Sequence, residues 1–303
     1  MNKKTILSLP LLLLALLNGC REEITIDVEE GEQLIGIYGC ITNEWKKQQL
    51  TISKSGDFYG IGDPEMVSGA EVSVTDNDTA VINYQEVAPG IYETTEPIKG
   101  ESGHIYKLHV IVHEKGETTE YYATDTMQAT VESIDSIKVL PYTLNNIKAT
   151  DYYKVCPYFQ SINNKRTSYI AKIEINGHLV TDTLTEYYAI QFQEMTGIYI
   201  NGKEMEKMYN GVDFPGSIYN LDPKRAKDED VKPGDEITLN LHVISQGYLE
   251  YIYDVQGNSG SNPFYGSPAN VSSNIKPEKR ALGYFFTSAI TKGTCIVRAE
   301  DLK

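Results

Sequence analysis

The stretch Leu34-Ile-Gly-Ile-Tyr-Gly-Cys-Ile41 decides how the chain is read, because it alternates with a period of two. Leu34, Gly36, Tyr38 and Cys40 fall on one side, and Ile35, Ile37, Gly39 and Ile41 on the other. Successive strand residues point to opposite faces, whereas a helix would group positions three and four apart. The segments that follow repeat this scale: Gln49–Ser53, Ala70–Val74, Ala80–Tyr84, Gly90–Thr94, Ile105–His113 and Glu120–Thr124. Turn formers such as Asp76-Asn77-Asp78 and Ala88-Pro89-Gly90 separate them. Short strands with this punctuation predict a mainly β protein, opening with an Ig-like or transthyretin-like antiparallel sandwich over residues 34–130.

Around Thr126–Ser133 the pattern changes, and residues 131–303 are expected to form a second β-rich domain with one short amphipathic helix. Ile173-Glu-Ile-Asn-Gly-His-Leu-Val180 places Asn-Gly between two apolar arms, the strongest short hairpin signal. Ile198-Tyr-Ile-Asn-Gly-Lys203 offers a second, although Lys203–Met208 also fits a helix. Ile237–Ile244 reads as a strand leading into the helix, with Ser245 as N-cap and Gly257 just past the end. Leu249, Ile252, Tyr253 and Gln256 share one helical face. Gly283–Ile290 and Thr294–Arg298 read as two final strands.

The N-terminus fixes the compartment. Lys3 and Lys4 precede an apolar run from Ile6 to Leu17, too short for the roughly 20 residues of a membrane-spanning helix. This is the layout of a secretory signal, residues 1–19. It ends in Leu17-Asn-Gly-Cys20, which resembles the bacterial lipobox, so Cys20 is expected to carry the lipid, and residues 20–33 to form a tether. Losing residues 1–19 removes two lysines and no acid, leaving 25 basic against 42 acidic residues and a net charge of −17. Such a polyanion is a poor partner for nucleic acid and is repelled by anionic membranes, so attachment must come from the acyl chains. Besides Cys20 there are Cys40, Cys156 and Cys295, which allow one intramolecular disulfide at most. Cys156 and Cys295 are the expected pair if one forms; the alternative is three small buried side chains.

No sequence constellation calls for catalysis, metal or cofactor. His109 and His113 share a strand face but lie about 13 Å apart, too far for one metal. Gly257-Asn-Ser-Gly-Ser261 lacks the last glycine of a nucleophile elbow and follows a helix rather than a strand. Asp76-Asn-Asp78 and Asp228-Glu-Asp230 lack the glycine and distal glutamate of a calcium loop. The unusual count is 22 Tyr, which suits a wet recognition surface as well as ordinary strand positions. The loop Asn262–Asn274, with Pro263, Phe264 and Tyr265, is a candidate contact region; the competing reading is a packed connection. Four tripeptides of Asp, hydroxyl residue and apolar residue resemble the O-glycosylation sequon of exported Bacteroidota proteins, marking Thr79, Thr126, Ser136 and Thr183.

From Cys20 to the end the chain resembles a Bacteroidota outer-membrane lipoprotein family of unknown function, domain-of-unknown-function family 4249. The matching stretches include Gly39-Cys-Ile-Thr-Asn43, Val67-Ser-Gly-Ala-Glu-Val72, Tyr121-Tyr-Ala-Thr124, Asn262-Pro-Phe264 and Ala281-Leu-Gly-Tyr-Phe285. Cys20-Arg21-Glu22-Glu23 resembles the tag that sends such lipoproteins to the cell surface. The resemblance implies a non-enzymatic, surface-exposed accessory that captures a small molecule or peptide for a TonB-dependent channel. The competing expectation is an adhesin or structural surface protein.

Overall fold

The structure, a computed structural model, describes residues 33–55, 64–114, 116–144, 147–159, 167–179, 184, 188–192, 217–219, 231–259, 271–277 and 281–302. The first seven strands are β1 (Ile35–Thr42), β2 (Gln49–Lys54), β3 (Glu71–Asp76), β4 (Ala80–Ala88), β5 (Ile91–Thr94), β6 (Ile105–Glu114) and β7 (Glu117–Thr126). Then come β8 (Ile134–Leu144), β9 (Ile147–Phe159), β10 (Thr167–Ile175), β11 (His178–Leu179), β12 (Tyr188–Phe192), β13 (Ser217–Tyr219) and β14 (Glu236–Ile244). Helix α1 (Gln246–Ser259) and β15 (Ala281–Ile296) complete the set. The protein is mainly β. One large mixed sheet runs β11-β10-β14-β15-β1-β2-β5-β4-β3-β6-β7, with β12 also paired to β10, and a small sheet orders β13-β9-β8.

The alternation in the first half sets which face is buried. Ile35, Ile37 and Ile41 of β1, Leu50 and Ile52 of β2, and Leu108, Val110 and Val112 of β6 enter one core cluster. Their intervening neighbours stay partly or fully exposed. The same cluster takes in Val139 and Val155 of the small sheet and Ile173, Leu239 and Phe285 of β10, β14 and β15. At about 25 cal/mol per Å² of apolar area, this shared burial is the main term holding the strands together.

Four expectations from the sequence are corrected. The sheet is not antiparallel throughout, because β1 pairs in parallel with β15, in the register Ile35↔Ala281 to Thr42↔Ser288. The two final strands are one: β15 does not turn near Lys292-Gly293 but changes partner, pairing β1 with its first half and β14 with its second. Gly293 serves close approach instead, since a Cβ there would lie 2.9 Å from the Ile134 side chain. Gly257 lies inside α1, which continues to Ser259, as glycine adopts helical angles at only a modest entropic cost. The N-cap holds, with Tyr248 N donating to Ser245 Oγ at 3.4 Å. Tyr253 points outward, and the packed face is Tyr248, Leu249, Tyr251, Ile252 and Val255.

The Asn176-Gly177 turn is as expected. Both residues have positive φ, 50° and 80°, the primed geometry that matches strand twist between β10 and β11. Gly283 has a different purpose. Its φ is 91°, and a Cβ would meet Ile37 O at 2.1 Å, so only glycine lets β15 lie against β1 in this register. Cys40 and Cys295 are free thiols. The side chain of Cys156 and the Ile198–Lys203 hairpin lie outside the described residues.

Candidate functional site

Strands β10, β14, β15, β1 and β2 bury one face in the main core, so the next residue along each belongs to the opposite face. Helix α1 covers part of that second face, making a smaller apolar cluster with Ile170, Tyr284 and Phe286. Tyr248 stacks on Phe286 at 3.6 Å between centroids, and its hydroxyl shares a hydrogen bond with Tyr38. Such a pair adds about 0.5–1.5 kcal/mol beyond its area burial and fixes that end of the helix. Beyond α1 the face is left as a groove of about 520 Å³, bounded by Tyr38, Ile170, Tyr248 and Phe286 at its apolar end.

The remainder of the groove is polar and carried mostly by strands. Lys172 and Glu174 come from β10, Asn240 and His242 from β14, Lys292 from β15, Gln49 and Thr51 from β2, and Glu93 from β5. Asn240 Nδ2 donates to Glu174 Oε1 at 2.7 Å, and His242 Nδ1 shares a 2.8 Å hydrogen bond with Ser288 Oγ. Glu44 accepts from Lys46 and Lys292, each at 2.8 Å. Burial alone would push the Glu44 carboxyl up, but the hydrogen bonds from Lys292 and Lys46 outweigh it and hold it at about 2. It therefore stays ionised at every physiological pH.

The loop from Asn43 to Gln48 is anchored on three sides. Asn43 Nδ2 donates to Ile290 O and its Oδ1 accepts from Ile290 N, joining the loop to β15. Lys46 and Ile98 exchange backbone hydrogen bonds. Gln48 is 1% exposed. Its Oε1 accepts from Thr42 N at 3.0 Å, and its Nε2 donates to Glu44 O and Ile98 O at 3.1 Å each. This frame holds Trp45, the chain's single tryptophan, 73% exposed beside the groove. Trp45 is flanked by Glu44 and Lys46, both of which line the groove.

His242 and Ser288 superficially resemble half of a hydrolytic triad. Ser288 is 0% exposed, which leaves its hydroxyl no path to a substrate. Burial, reinforced by the Lys172 charge, lowers the imidazole to about 3, making it a weak base at neutral pH. Burial likewise raises the Cys40 thiol to about 12, far from the thiolate a nucleophile needs. What the arrangement does offer is fixed hydrogen-bonding groups. Nε2 of His242 has no hydrogen-bond partner among the described residues.

Of the residues singled out from the sequence, Cys20, Arg21, Glu22, Glu23, Thr183, Pro263, Phe264 and Tyr265 lie outside the described residues. Thr79 and Ser136 are exposed, the first in the β3–β4 turn and the second on β8. Thr126 is half-buried between Asp125 and Met127, both buried. Asp125 Oδ2 accepts from Thr287 N at 2.7 Å and from Thr287 Oγ1 at 2.9 Å. The histidines turn to separate partners: His104 to Asp76, His109 to Glu120, and His113 to Thr118 and Glu71. The groove was missed. Its signal was Lys172 and Glu174 two apart in an apolar strand, matched by Asn240 and His242 in the strand beside it.

A family model described as a domain of unknown function (DUF4249) matches residues 21–294. No curated protein matches the chain. Among solved structures, a DUF4785 family protein from Legionella pneumophila is similar at 11% identity and a TM-score of 0.23, over 68% of this chain and 52% of that one. The beta-glucuronidase of Parabacteroides merdae is similar at 12% identity and a TM-score of 0.21, over 70% of this chain and 23% of that one.

Proposed function

The chain belongs to the DUF4249 family, and we propose that it is a surface-exposed outer-membrane lipoprotein that captures a ligand for a TonB-dependent channel without chemistry of its own. Cys20 carries the anchor, and Arg21-Glu22-Glu23 supplies the export tag. Residues 34–130 act as an Ig-like or transthyretin-like sandwich, and residues 131–303 complete the binding surface. The observation that carries this reading is the groove, whose polar groups sit on paired strands and are aligned before any ligand arrives. Such pre-organisation reduces the entropy lost on binding. A lipid tether adds to it by holding the site in the plane of its channel, which raises effective concentration.

One observation favours the alternative, an adhesin or structural surface protein. An exposed tryptophan on an anchored loop is the type of side chain that anchors protein interfaces. Affinity purification of the lipoprotein from mild detergent separates the two readings. Co-purification of a channel, lost in Cys20→Ala, supports capture. Absence of a channel, together with unimpaired growth of a deletion strain on all nutrients tested, replaces capture with adhesion. External protease must also digest the protein on intact cells, and Glu22→Ala with Glu23→Ala must protect it.

A further inference from the structure

We propose that the groove binds a neutral oligosaccharide chain; this rests on the capture reading and names its ligand class. Four lysines (Lys46, Lys47, Lys172, Lys292) and three glutamates (Glu44, Glu93, Glu174) line it. In a protein of net charge −15 the site itself is thus close to neutral. Two of those lysines, Lys46 and Lys292, are already held by Glu44, and Glu174 accepts from Asn240. An anionic ligand must compete with Glu44 for those lysines, and a cationic one must compete with the lysines for Glu44. A hydroxyl does neither. It donates and accepts at once, so it can give to a carboxylate and receive from the neighbouring ammonium while the ion pair stays intact.

The rest of the lining has the same dual character. Asn240 uses one amide hydrogen on Glu174, and its other hydrogen and its carbonyl suit a hydroxyl. His242, 9% exposed and held neutral, keeps Nε2 for the groove. Thr51 and Gln49 add uncharged groups of both kinds. At the aromatic end Phe286 and Tyr248 stack on each other and are buried, so the half-buried Tyr38 is the ring there that can meet the apolar C–H face of a sugar. The groove extends from Leu179 of β11 to Glu93 of β5, across seven neighbouring strands, roughly 30 Å at ~4.8 Å per strand. That length fits an oligomer better than a single ring. A peptide is the poorer occupant, since extended peptides gain affinity by pairing with a free sheet edge. Of the strands under the centre of this groove, β10, β14, β1 and β2 are paired on both sides, and β15 pairs β1 with its first half and β14 with its second.

The test is calorimetry on the full lipoprotein in mild detergent, with hexamers of glucose (α- and β-linked), xylose, mannose and N-acetylglucosamine as neutral probes. A galacturonate hexamer is the anionic probe and a tryptic digest of casein the peptide probe. Expected is binding of at least one neutral hexamer, weakened 10-fold or more by Asn240→Ala and by His242→Gln, with Kd changing less than 2-fold between 50 and 500 mM NaCl. Trp45 fluorescence reports the same titration from the rim. Salt-sensitive binding of galacturonate alone, binding of peptides alone, binding indifferent to both substitutions, or no binding by any probe overturns the proposal. If the channel still co-purifies in that event, only the ligand class is wrong; if it does not, the capture reading has failed as well.

Discussion

Replacing Gln48 tests whether one buried amide sets the groove's rim. Gln48→Ala leaves Glu44 O without its donor, Thr42 N without its acceptor and Ile98 O with only its bond from Lys46 N. An unsatisfied buried group costs about 1–3 kcal/mol, and partial relaxation of the loop brings the total to about 2–4 kcal/mol. Gln48→Glu is the sharper probe, because it preserves shape and the bond from Thr42 N but turns an oxygen toward the two carbonyls. The introduced carboxyl is then ionised at a cost, so its pKa in the folded state lies above the roughly 4.3 of the unfolded chain. The penalty is fully present above the folded value and disappears below the unfolded one. Each unit of elevation is worth about 1.4 kcal/mol at neutral pH. Urea unfolding followed by far-UV circular dichroism from pH 4 to 8 measures it, taken as the difference from wild type so that other titrations cancel. Gln48→Glu should be at least as damaging as Gln48→Ala at pH 7.5 and should approach wild type near pH 4. Parallel curves for Gln48→Glu and wild type, or losses under about 1 kcal/mol in both variants, would refute the assigned role of Gln48.

Gly283→Ala should cost more than the roughly 1–2 kcal/mol of a left-handed backbone, because its Cβ meets Ile37 O. Gly234→Ala, with φ 97° and nothing within 4 Å, should cost that backbone term alone, and equal urea midpoints for the two would remove the close-approach argument. His242, surrounded by Lys172, Lys46, Lys292 and Glu44, refuses a proton in the folded state down to about 3, whereas the unfolded chain takes one up below about 6.5. Stability should therefore fall between pH 6.5 and 3 and be unaffected above it, and His242→Gln should flatten that slope. If the protein is glycosylated, peptide mass mapping should find glycan on Thr79 or Ser136 and none on Thr126, whose flanking Asp125 and Met127 are buried; glycan on Thr126 would contradict this placement.

The strand faces of the first half were legible because most of its strands bury one side and not the other, β4, with no residue buried, being the exception. The same holds for the Asn176-Gly177 turn and the Ser245 cap, which are local chemistry. Alternation tells which face a residue takes and says nothing of which strand lies alongside, so the parallel β1–β15 pairing was invisible. Strand β10 hid its register differently: α1 and the main core bury both of its faces from Thr167 to Ala171, which leaves little alternation to read. The groove is a product of those pairings. Tyr38 and Phe286 reach it from opposite ends of the chain, and no local window contains both.

The β1–β15 pairing also orders events in time. β1 is among the first strands to emerge during synthesis, and β15 is the last described. Until β15 arrives, one edge of β1 is an unpaired row of backbone donors and acceptors, the kind of edge that invites wrong partners. Contacts this distant in sequence are slow to form, because loop closure must be completed before they yield any stabilisation. The groove therefore exists only once the chain has been made and folded through β15. A chain stalled or truncated before Ala281 would lack Phe286 and Lys292 and leave β1 and β14 without the strand that joins them.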